Sequence, residues 1–392
     1  MKKIQTLLVI LSLVILSQPL MADELQFKSG TWDEIKSLAK QENKMIFLDA
    51  YTDWCGWCKV LDKETFTNKE VIDFVNENFI PVKYEMETGF GKTLAMKYRV
   101  RGFPSQLFFN PDGKLIYVSF GYRPPTRFLE LLNTALKPEN HFNLKGVSNI
   151  IDLDFPELYK AVFVKNGSEE KKKFPTVEET VAYLDGQDDL FSEVNYSVIS
   201  AFQLNEKYNK HFLENISKYE ELYGNYSTNE KLYSIIYDNL KPAIEEKSEK
   251  KLEDVIGLID KYDSKSAERN KEFYRFHFYE KTQNWNKYSE FVDDKVKQGE
   301  ASDDQINEYS WTIYENCDDE NTLKKAVNWI KPVIERSPNY MNLDTYAALL
   351  YKTNDFPNAK KYAEEAIKVG SENKQQVKET EALLEKINEK MR

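Results

Sequence analysis

Two cysteines separated by two residues directly follow an apolar run near the start of the chain. Residues 45–51 read Met-Ile-Phe-Leu-Asp-Ala-Tyr, and a short apolar run bounded by turn residues predicts a buried strand. The chain then turns through residues 52–54, and we expect a helix to begin near Cys55. Because residues three apart share a helix face, Cys55 and Cys58 can meet as a disulfide or separate as a dithiol.

Cys55 occupies the first turn of this expected helix. Backbone N–H groups there lack intrahelical partners, and the helix dipole favours negative charge. Both effects stabilise a thiolate, which is the nucleophile in disulfide exchange. We therefore expect Cys55 to be the attacking thiol and Cys58, one turn further along, to be the resolving thiol.

The same cysteine spacing also occurs in zinc sites and in purely structural disulfides. A structural zinc site needs a second pair of ligands, but the sequence has one further cysteine, Cys317, and its three histidines are scattered downstream at positions 141, 211 and 277. We therefore expect no metal. A purely structural disulfide is the second alternative, although a loop this short constrains the unfolded chain little.

Residues around the cysteine pair resemble those of thioredoxin. Asp49 lies six residues before Cys55, at the position of that family's buried acid. Trp54 immediately precedes the first cysteine, and Lys59 immediately follows the second. The resemblance implies that Asp49 exchanges a proton with Cys58; a purely structural buried acid is the alternative.

A second block of resemblance lies downstream. Residues 100–105, Val-Arg-Gly-Phe-Pro-Ser, resemble the family's cis-proline loop, and a strand, a hairpin turn and a partner strand are expected at 106–110, 111–113 and 115–120. In that family the cis-proline packs against the disulfide, and the preceding residue pairs its backbone with the substrate. The resemblance therefore implies a cis Phe103–Pro104 bond and a substrate contact at both residues.

The resemblance covers about residues 27–137. Thr65-Phe66 and the strand around 79–85 are similar to the subgroup containing the C-terminal domain of the periplasmic thiol:disulfide interchange reductase. The resemblance implies an α/β thioredoxin-like fold, in which helices flank a central mixed sheet. Two departures are the Gly56-Trp57 interior of the motif, instead of Gly-Pro, and the bulk of Phe103.

Strand patterns stop after Lys137-Pro138. We expect a thioredoxin-like domain at 23–138, a helical linker region at 139–189 and an all-α domain at 190–392. Helical runs are expected at 155–164, 177–184, 191–206, 211–223, 230–246, 251–261 and 267–282.

Residues 302–391, and 343–367 above all, resemble tetratricopeptide repeats, which stack as helix pairs and commonly bind peptides or proteins. Aromatic residues along these helices are expected to be core, with a peptide groove as the alternative.

The first 22 residues have the pattern of a secretory signal. Lys2 and Lys3 are followed by a mostly apolar stretch at 7–16, and Ala22 offers a small residue for cleavage. An uncleaved anchor is the alternative, but a span needs about 20 apolar residues. We expect a cleaved signal, a periplasmic or secreted protein and no stable membrane span.

The net charge of the chain restricts the kinds of partner that it is expected to bind. The 392 residues include 54 basic and 65 acidic side chains, a net charge of −11. Nucleic acids and anionic membranes call for basic patches, so neither is expected as a partner.

Cys317 stands beside Asp318, Asp319 and Glu320, which disfavour a thiolate. We interpret it as an inert thiol, with pairing between two molecules as the alternative.

These patterns together predict a thiol–disulfide oxidoreductase without a cofactor, acting on protein thiols and disulfides and served by an electron-donor protein. Trp54 and Trp57 are expected to contact substrate, although Trp54 could be plain core. Lys59 is expected either to supply a favourable charge or to be a solvated lysine. The alternative function is an adaptor, in which the helical repeats dock a partner and the thioredoxin-like domain is a recognition module.

Overall fold

The structure is a computed structural model that describes residues 24–168, 171–263 and 266–392. The expected signal segment at 1–22 lies outside the described residues. The chain divides into two compact units between Leu232 and Tyr233. The predicted boundaries after residues 138 and 189 stay predictions.

The first unit contains a four-stranded mixed sheet. Its strands are β1 (Met45–Tyr51), β2 (Phe79–Glu85), β3 (Ser105–Phe109) and β4 (Leu115–Phe120). They lie in the order β2-β1-β3-β4. β1 pairs in parallel with β2 and antiparallel with β3, which is antiparallel to β4. The predicted thioredoxin-like α/β fold is confirmed, and the cysteine motif follows the carboxyl end of a central strand.

Helices cover the sheet and bury an aromatic core against it. They are α1 (Trp32–Glu42), α2 (Gly56–Val60), α3 (Lys69–Asn78), α4 (Gly89–Tyr98) and α5 (Pro125–Leu136), with a π-helical turn at Leu61–Thr65 continuing α2. Thr31 and Glu34 form a capping box that starts α1. The Phe47 ring packs 5.4 Å from Phe108 and 5.8 Å from Phe128, which holds β1 between β3 and α5.

The remainder of the first unit is less regular. A 3₁₀ turn at Pro138–Asn140 is followed by α6 (Glu157–Lys160), α7 (Val177–Asp185), α8 (Glu193–Ala201), α9 (Glu206–Glu214) and α10 (Ile216–Tyr223). The expected helix at 155–164 is wrong apart from α6. Its aromatic residues stack on one another instead, with Tyr159 4.8 Å from Phe155 and 5.1 Å from Phe163.

Two other helix bounds also differ from the prediction. The expected helix at 191–206 ends at Ala201, because Asn205 caps a new helix with its side chain. The expected helix at 211–223 is divided at Asn215, whose side-chain amide donates to the His211 carbonyl and whose backbone leaves the helical region.

Helix α11 (Asn225–Glu245) crosses the division between the units, and the second unit is otherwise built of helices. These are α12 (Glu249–Tyr262), α13 (Ala267–Lys281), α14 (Trp285–Gln298), α15 (Asp303–Asn316), α16 (Glu320–Arg336), α17 (Tyr340–Lys352), α18 (Phe356–Glu372) and α19 (Lys378–Lys390). From α15 onward each helix packs on the next, and α15 also packs on α17. The tetratricopeptide assignment stays a prediction. Among the described residues, no helix has the length and apolar character needed to cross a membrane.

Candidate active site

Cys55 and Cys58 form a disulfide with a Cα–Cα distance of 5.3 Å. Cys55 is the N-cap of α2, and its Sγ accepts a hydrogen bond of 3.0 Å from the backbone N–H of Cys58. Both cysteines are buried, at 4% and 2% exposure. The sulfur that is expected to attack therefore already receives a backbone donor, which would also stabilise a thiolate.

Two tryptophans stand exposed beside this buried pair. Trp54 is 49% exposed and Trp57 62% exposed, so Trp54 is not a core residue. The Trp54 ring meets Phe103 edge to face at 6.1 Å, and the Trp57 ring stacks on Tyr122 at 5.4 Å. Exposed aromatic surface next to a reactive group suits contact with another chain.

The loop that carries Phe103 also agrees with the sequence expectation. The Phe103–Pro104 peptide bond is cis, as the resemblance implied. Pro104 is buried and Phe103 is half-buried. The edge contact with Trp54 brings two of the predicted substrate-binding residues together.

Asp49 is fully buried in the middle of β1. Burial disfavours its charged form and raises its pKa to about 6, although the charge of Lys83 acts in the opposite direction. The Lys83 ammonium lies 3.1 Å from Oδ2 of Asp49, and apart from this ion pair neither carboxylate oxygen has a hydrogen-bond partner within the described residues. A pKa of about 6 lies within the range in which a carboxyl can exchange protons near neutral pH.

Lys83 is a site residue that the sequence reasoning missed. It lies directly opposite Asp49 in the parallel register of β1 and β2, and it also pairs with Asp62. Burial lowers the pKa of Lys83, but the two carboxylates outweigh burial and leave it raised. Pairing the two predicted strands in register would have revealed this neighbour. Lys59 is exposed on α2, and its supporting role stays a prediction.

The sequence that builds this site matches a known family. Residues 32–136 match the family model described as thioredoxin-like domain. This part of the chain is a thioredoxin-like domain. The chain is 34% identical over 107 residues to the thiol:disulfide interchange protein DsbD of Photorhabdus laumondii, covering 26% of this chain and 19% of that protein. It is 28% identical over 208 residues to a probable protein disulfide-isomerase A6 of Medicago sativa, covering 51% and 50%.

Solved structures are similar to a part of the chain as well. A putative disulphide-isomerase from Bacteroides thetaiotaomicron is 33% identical, with 29% of this chain and 95% of that chain covered and a TM-score of 0.28. The C-terminal domain of DsbD from Neisseria meningitidis is 25% identical, with 26% and 90% covered and a TM-score of 0.24. The chain spans only a fifth of the first DsbD relative. The family match thus identifies residues 32–136 as a thioredoxin-like domain, and this part of the chain is similar to a protein named for thiol:disulfide interchange.

A segment beyond the thioredoxin-like domain reaches the cysteine motif. The Lys165 ammonium lies 3.2 Å from a carboxylate oxygen of Asp53. Glu87, which accepts a 2.9 Å hydrogen bond from the indole N–H of Trp54, also accepts one of 3.0 Å from the backbone N–H of Asn166. These contacts join residues 79 and 112 positions apart, and no local sequence pattern indicated them.

Cys317 lies at the end of α15 and takes part in no disulfide. It is fully buried, and burial raises the pKa of its thiol. These observations support the interpretation of an inert thiol. Among the described residues, no three His, Cys, Asp or Glu side chains are grouped so that they could hold a metal ion.

Proposed function

We propose that this chain is an exported thiol–disulfide oxidoreductase that reduces or exchanges disulfides in periplasmic proteins through Cys55 and Cys58. The observation that carries the proposal is the placement of this pair at the start of α2, where Sγ of Cys55 accepts the Cys58 N–H. The names of the DsbD and disulfide-isomerase relatives support the same chemistry. Export rests on the sequence of residues 1–22.

The reaction begins with the reduced dithiol. The Cys55 thiolate attacks one sulfur of a substrate disulfide, forming a mixed disulfide and releasing the other substrate sulfur, which takes up a proton. Cys58 then loses its proton and attacks Sγ of Cys55, releasing the second substrate thiol. Two electrons and two protons pass to the substrate, and the enzyme is left with the Cys55–Cys58 disulfide. A dithiol protein restores the reduced form.

Asp49 is the group proposed to take the proton from Cys58. Its carboxyl is buried, lies 3.1 Å from the Lys83 ammonium and has a pKa of about 6. A general base is most effective when its pKa is close to the working pH. Lys83 is a positioning residue in this proposal, because its charge opposes the effect of burial on Asp49.

The dithiol is proposed to work in the reducing direction. Strong oxidants of this kind stabilise their reduced thiolate form. The residue between the cysteines that could add such stabilisation is Trp57, which carries no charge and stacks on Tyr122 instead. The buried carboxyl of Asp49 adds no positive charge either.

The test is reduction of insulin by the full chain with dithiothreitol as electron source. Cys55→Ser should abolish turnover, because it removes the attacking sulfur. Cys58→Ser should retain the first step and accumulate mixed disulfides, visible as mass additions under non-reducing conditions. Cys317→Ser is the matched control and should turn over insulin at the unchanged rate. Faster alkylation of Cys58 than of Cys55 near neutral pH would show that the two roles are reversed.

The adaptor function is the second candidate, and one observation in the second unit favours it. Tyr237 and Phe273 are 43% and 58% exposed, and His277 lies 6.2 Å and 6.0 Å from their rings. Exposed aromatic groups of this kind mark protein contacts. A folded full chain that fails to reduce insulin would favour the adaptor function.

A further inference from the structure

A cavity opens beside Phe103 where the thioredoxin-like domain meets residues 162–164, 172 and 174. Its volume is about 190 Å³. We call it the side pocket. Its apolar lining is Met86, Val100, Phe103, Val162, Phe163, Val164 and Phe174. Three of these residues come from the thioredoxin-like domain and four from beyond residue 136, so the domain alone would lack more than half of this lining.

The outer wall of the side pocket is fixed to residues around the cysteine motif. Lys165 pairs with Asp53 at 3.2 Å, and Asn166 donates its backbone N–H to Glu87. Farther along the same segment, the Lys173 N–H donates to the Ala161 carbonyl at 3.1 Å. These contacts hold Val162 and Val164 in place, and both are buried.

The side pocket is continuous with the redox site through Phe103. This ring lines the pocket and also meets Trp54, the residue before Cys55, at 6.1 Å. Under the proposed function the backbone of Phe103 pairs with the substrate chain. Side chains of an extended chain alternate between its two faces, so a substrate held at Phe103 presents a side chain toward this wall every second residue.

The size and chemistry of the pocket define its occupant. An apolar cavity of about 150 Å³ is large enough to bind benzene, so the side pocket has room for one aromatic or large aliphatic side chain. At its edge the Lys172 ammonium lies 3.6 Å from Glu87, and Arg101 adds a second positive charge to the lining. A charged side chain would lose its hydration against the apolar lining.

We infer that the side pocket is a specificity subsite that favours disulfide substrates with a large apolar residue next to the reacting cysteine. This inference rests on the proposed function, because it concerns the substrate of the same redox site. Its chemistry adds no step to the exchange already described. Phe103 and Phe174 act through contact with the substrate side chain, and the thiols act as before.

The experiment measures single-turnover reduction of symmetrical peptide disulfides by the reduced full chain. One peptide carries Phe at both positions next to cysteine, a second carries Ala and a third carries Lys. We expect the second-order rate constant of reduction to be about tenfold higher for the Phe peptide than for the Ala peptide, since a filled apolar pocket discriminates by at least this factor. The Lys peptide should show no gain over Ala.

Two variants act on the pocket in different ways. Phe174→Ala removes one wall and should bring the Phe-to-Ala ratio toward one; Phe174 is 65% exposed, so its loss should leave folding intact. Val164→Phe fills the cavity and should lower the ratio as well. Ile150→Ala, at 62% exposure and outside the pocket lining, is the matched control and should keep the ratio of the unmodified chain.

A small aromatic disulfide, dithiobisnitrobenzoate, separates the two proposals. If the chain reduces it but treats the Phe and Ala peptides alike, the subsite is wrong and the oxidoreductase function stands. An unchanged ratio in both pocket variants would also overturn the subsite. If the chain reduces none of the disulfides, the proposed function is wrong and the subsite is wrong with it.

Discussion

The carboxyl of Asp49 is subject to two opposing effects. Complete burial removes water from its charged form, and the ammonium of Lys83, 3.1 Å from Oδ2, partly replaces that water. Burial is the larger effect, because the pKa is raised to about 6. The Lys83 ammonium contacts both Asp49 and the half-exposed Asp62. Because it is shared, it stabilises the Asp49 carboxylate less than it would alone.

This balance predicts a pH dependence for the resolving step. Asp49 accepts a proton only when it is ionised, so the rate of mixed-disulfide resolution should rise as the pH increases through about 6. Asp49→Asn should remove this inflection and slow the step by about 100-fold, within the usual range for general acid–base catalysis. The measurement is quenched-flow resolution of a preformed mixed disulfide between pH 5 and 8.

Asp62→Asn is the matched control for this prediction. It removes the other carboxylate that contacts Lys83 and leaves Asp49 in place. The inflection should persist in this variant and move to lower pH, because the Asp62 charge raises the pKa of Asp49. An inflection near pH 6 that survives Asp49→Asn would assign the titration to another group.

At the scale of elements, strands and helices of the thioredoxin-like domain were predictable because each has a local pattern. The apolar run between turn residues gave the bounds of β1 as the structure has them, and the thioredoxin resemblance gave those of β4. The sequences of α3 and α5 also carry helical features, an apolar period in Lys69–Asn78 and a proline at the start of Pro125–Leu136. The cysteine motif could be located because its chemistry depends on residues close in sequence.

The contacts that complete the site could not be predicted in this way. Lys83 reaches Asp49 only through strand pairing, and Asn166 reaches Glu87 across 79 positions. Residues 155–164 are apolar at nearly helical spacing, yet they serve tertiary packing: the Tyr159 hydroxyl donates to the Met96 carbonyl at 2.9 Å. Local propensity was overridden there by contacts with another element.

A buried ion pair connects α4 to α8. The Lys97 side chain is fully buried, and its ammonium lies 2.7 Å from a carboxylate oxygen of Glu193. Ser148 accepts from Lys97 through its carbonyl at 2.8 Å and donates its backbone N–H to Glu193 at 2.9 Å. Lys97, Ser148 and Glu193 thus supply one another with an ion pair and hydrogen bonds at a place that water scarcely reaches.

Lys97→Met should therefore destabilise the first unit by about 3–5 kcal/mol, because it leaves the Glu193 carboxylate buried without its cation. Adding Glu193→Gln should recover part of this loss. Hydrogen exchange of the α4 and α8 amides measures the effect within the full chain. Arg127→Met, which breaks the exposed pair with Glu130, should leave the stability nearly unchanged, because water already screens that pair. Equal losses of stability in Lys97→Met and Arg127→Met would show that burial does not make the Lys97–Glu193 pair matter more than an exposed pair.

At the scale of the whole molecule, the first compact unit extends well beyond the residues that match the thioredoxin-like family model. The match ends at residue 136, whereas the first unit continues to Leu232. The additional residues provide Tyr159 and Glu193 to α4 and the outer wall of the side pocket. The first unit is thus a thioredoxin-like domain extended by a segment that packs on α4 and reaches the redox face.

A fragment comprising residues 24–138 tests this view. It retains both cysteines and Asp49, so it should still reduce dithiobisnitrobenzoate. It would expose Met96 of α4 and Val100, which follows α4, and these are 8% and 3% exposed in the full chain. Amides of α4 should therefore exchange faster than in the full chain. The fragment should also lose the preference for the Phe peptide, because Val162, Val164 and Phe174 are absent. Unchanged α4 protection together with a retained peptide preference would mean that the thioredoxin-like domain carries both stability and specificity by itself.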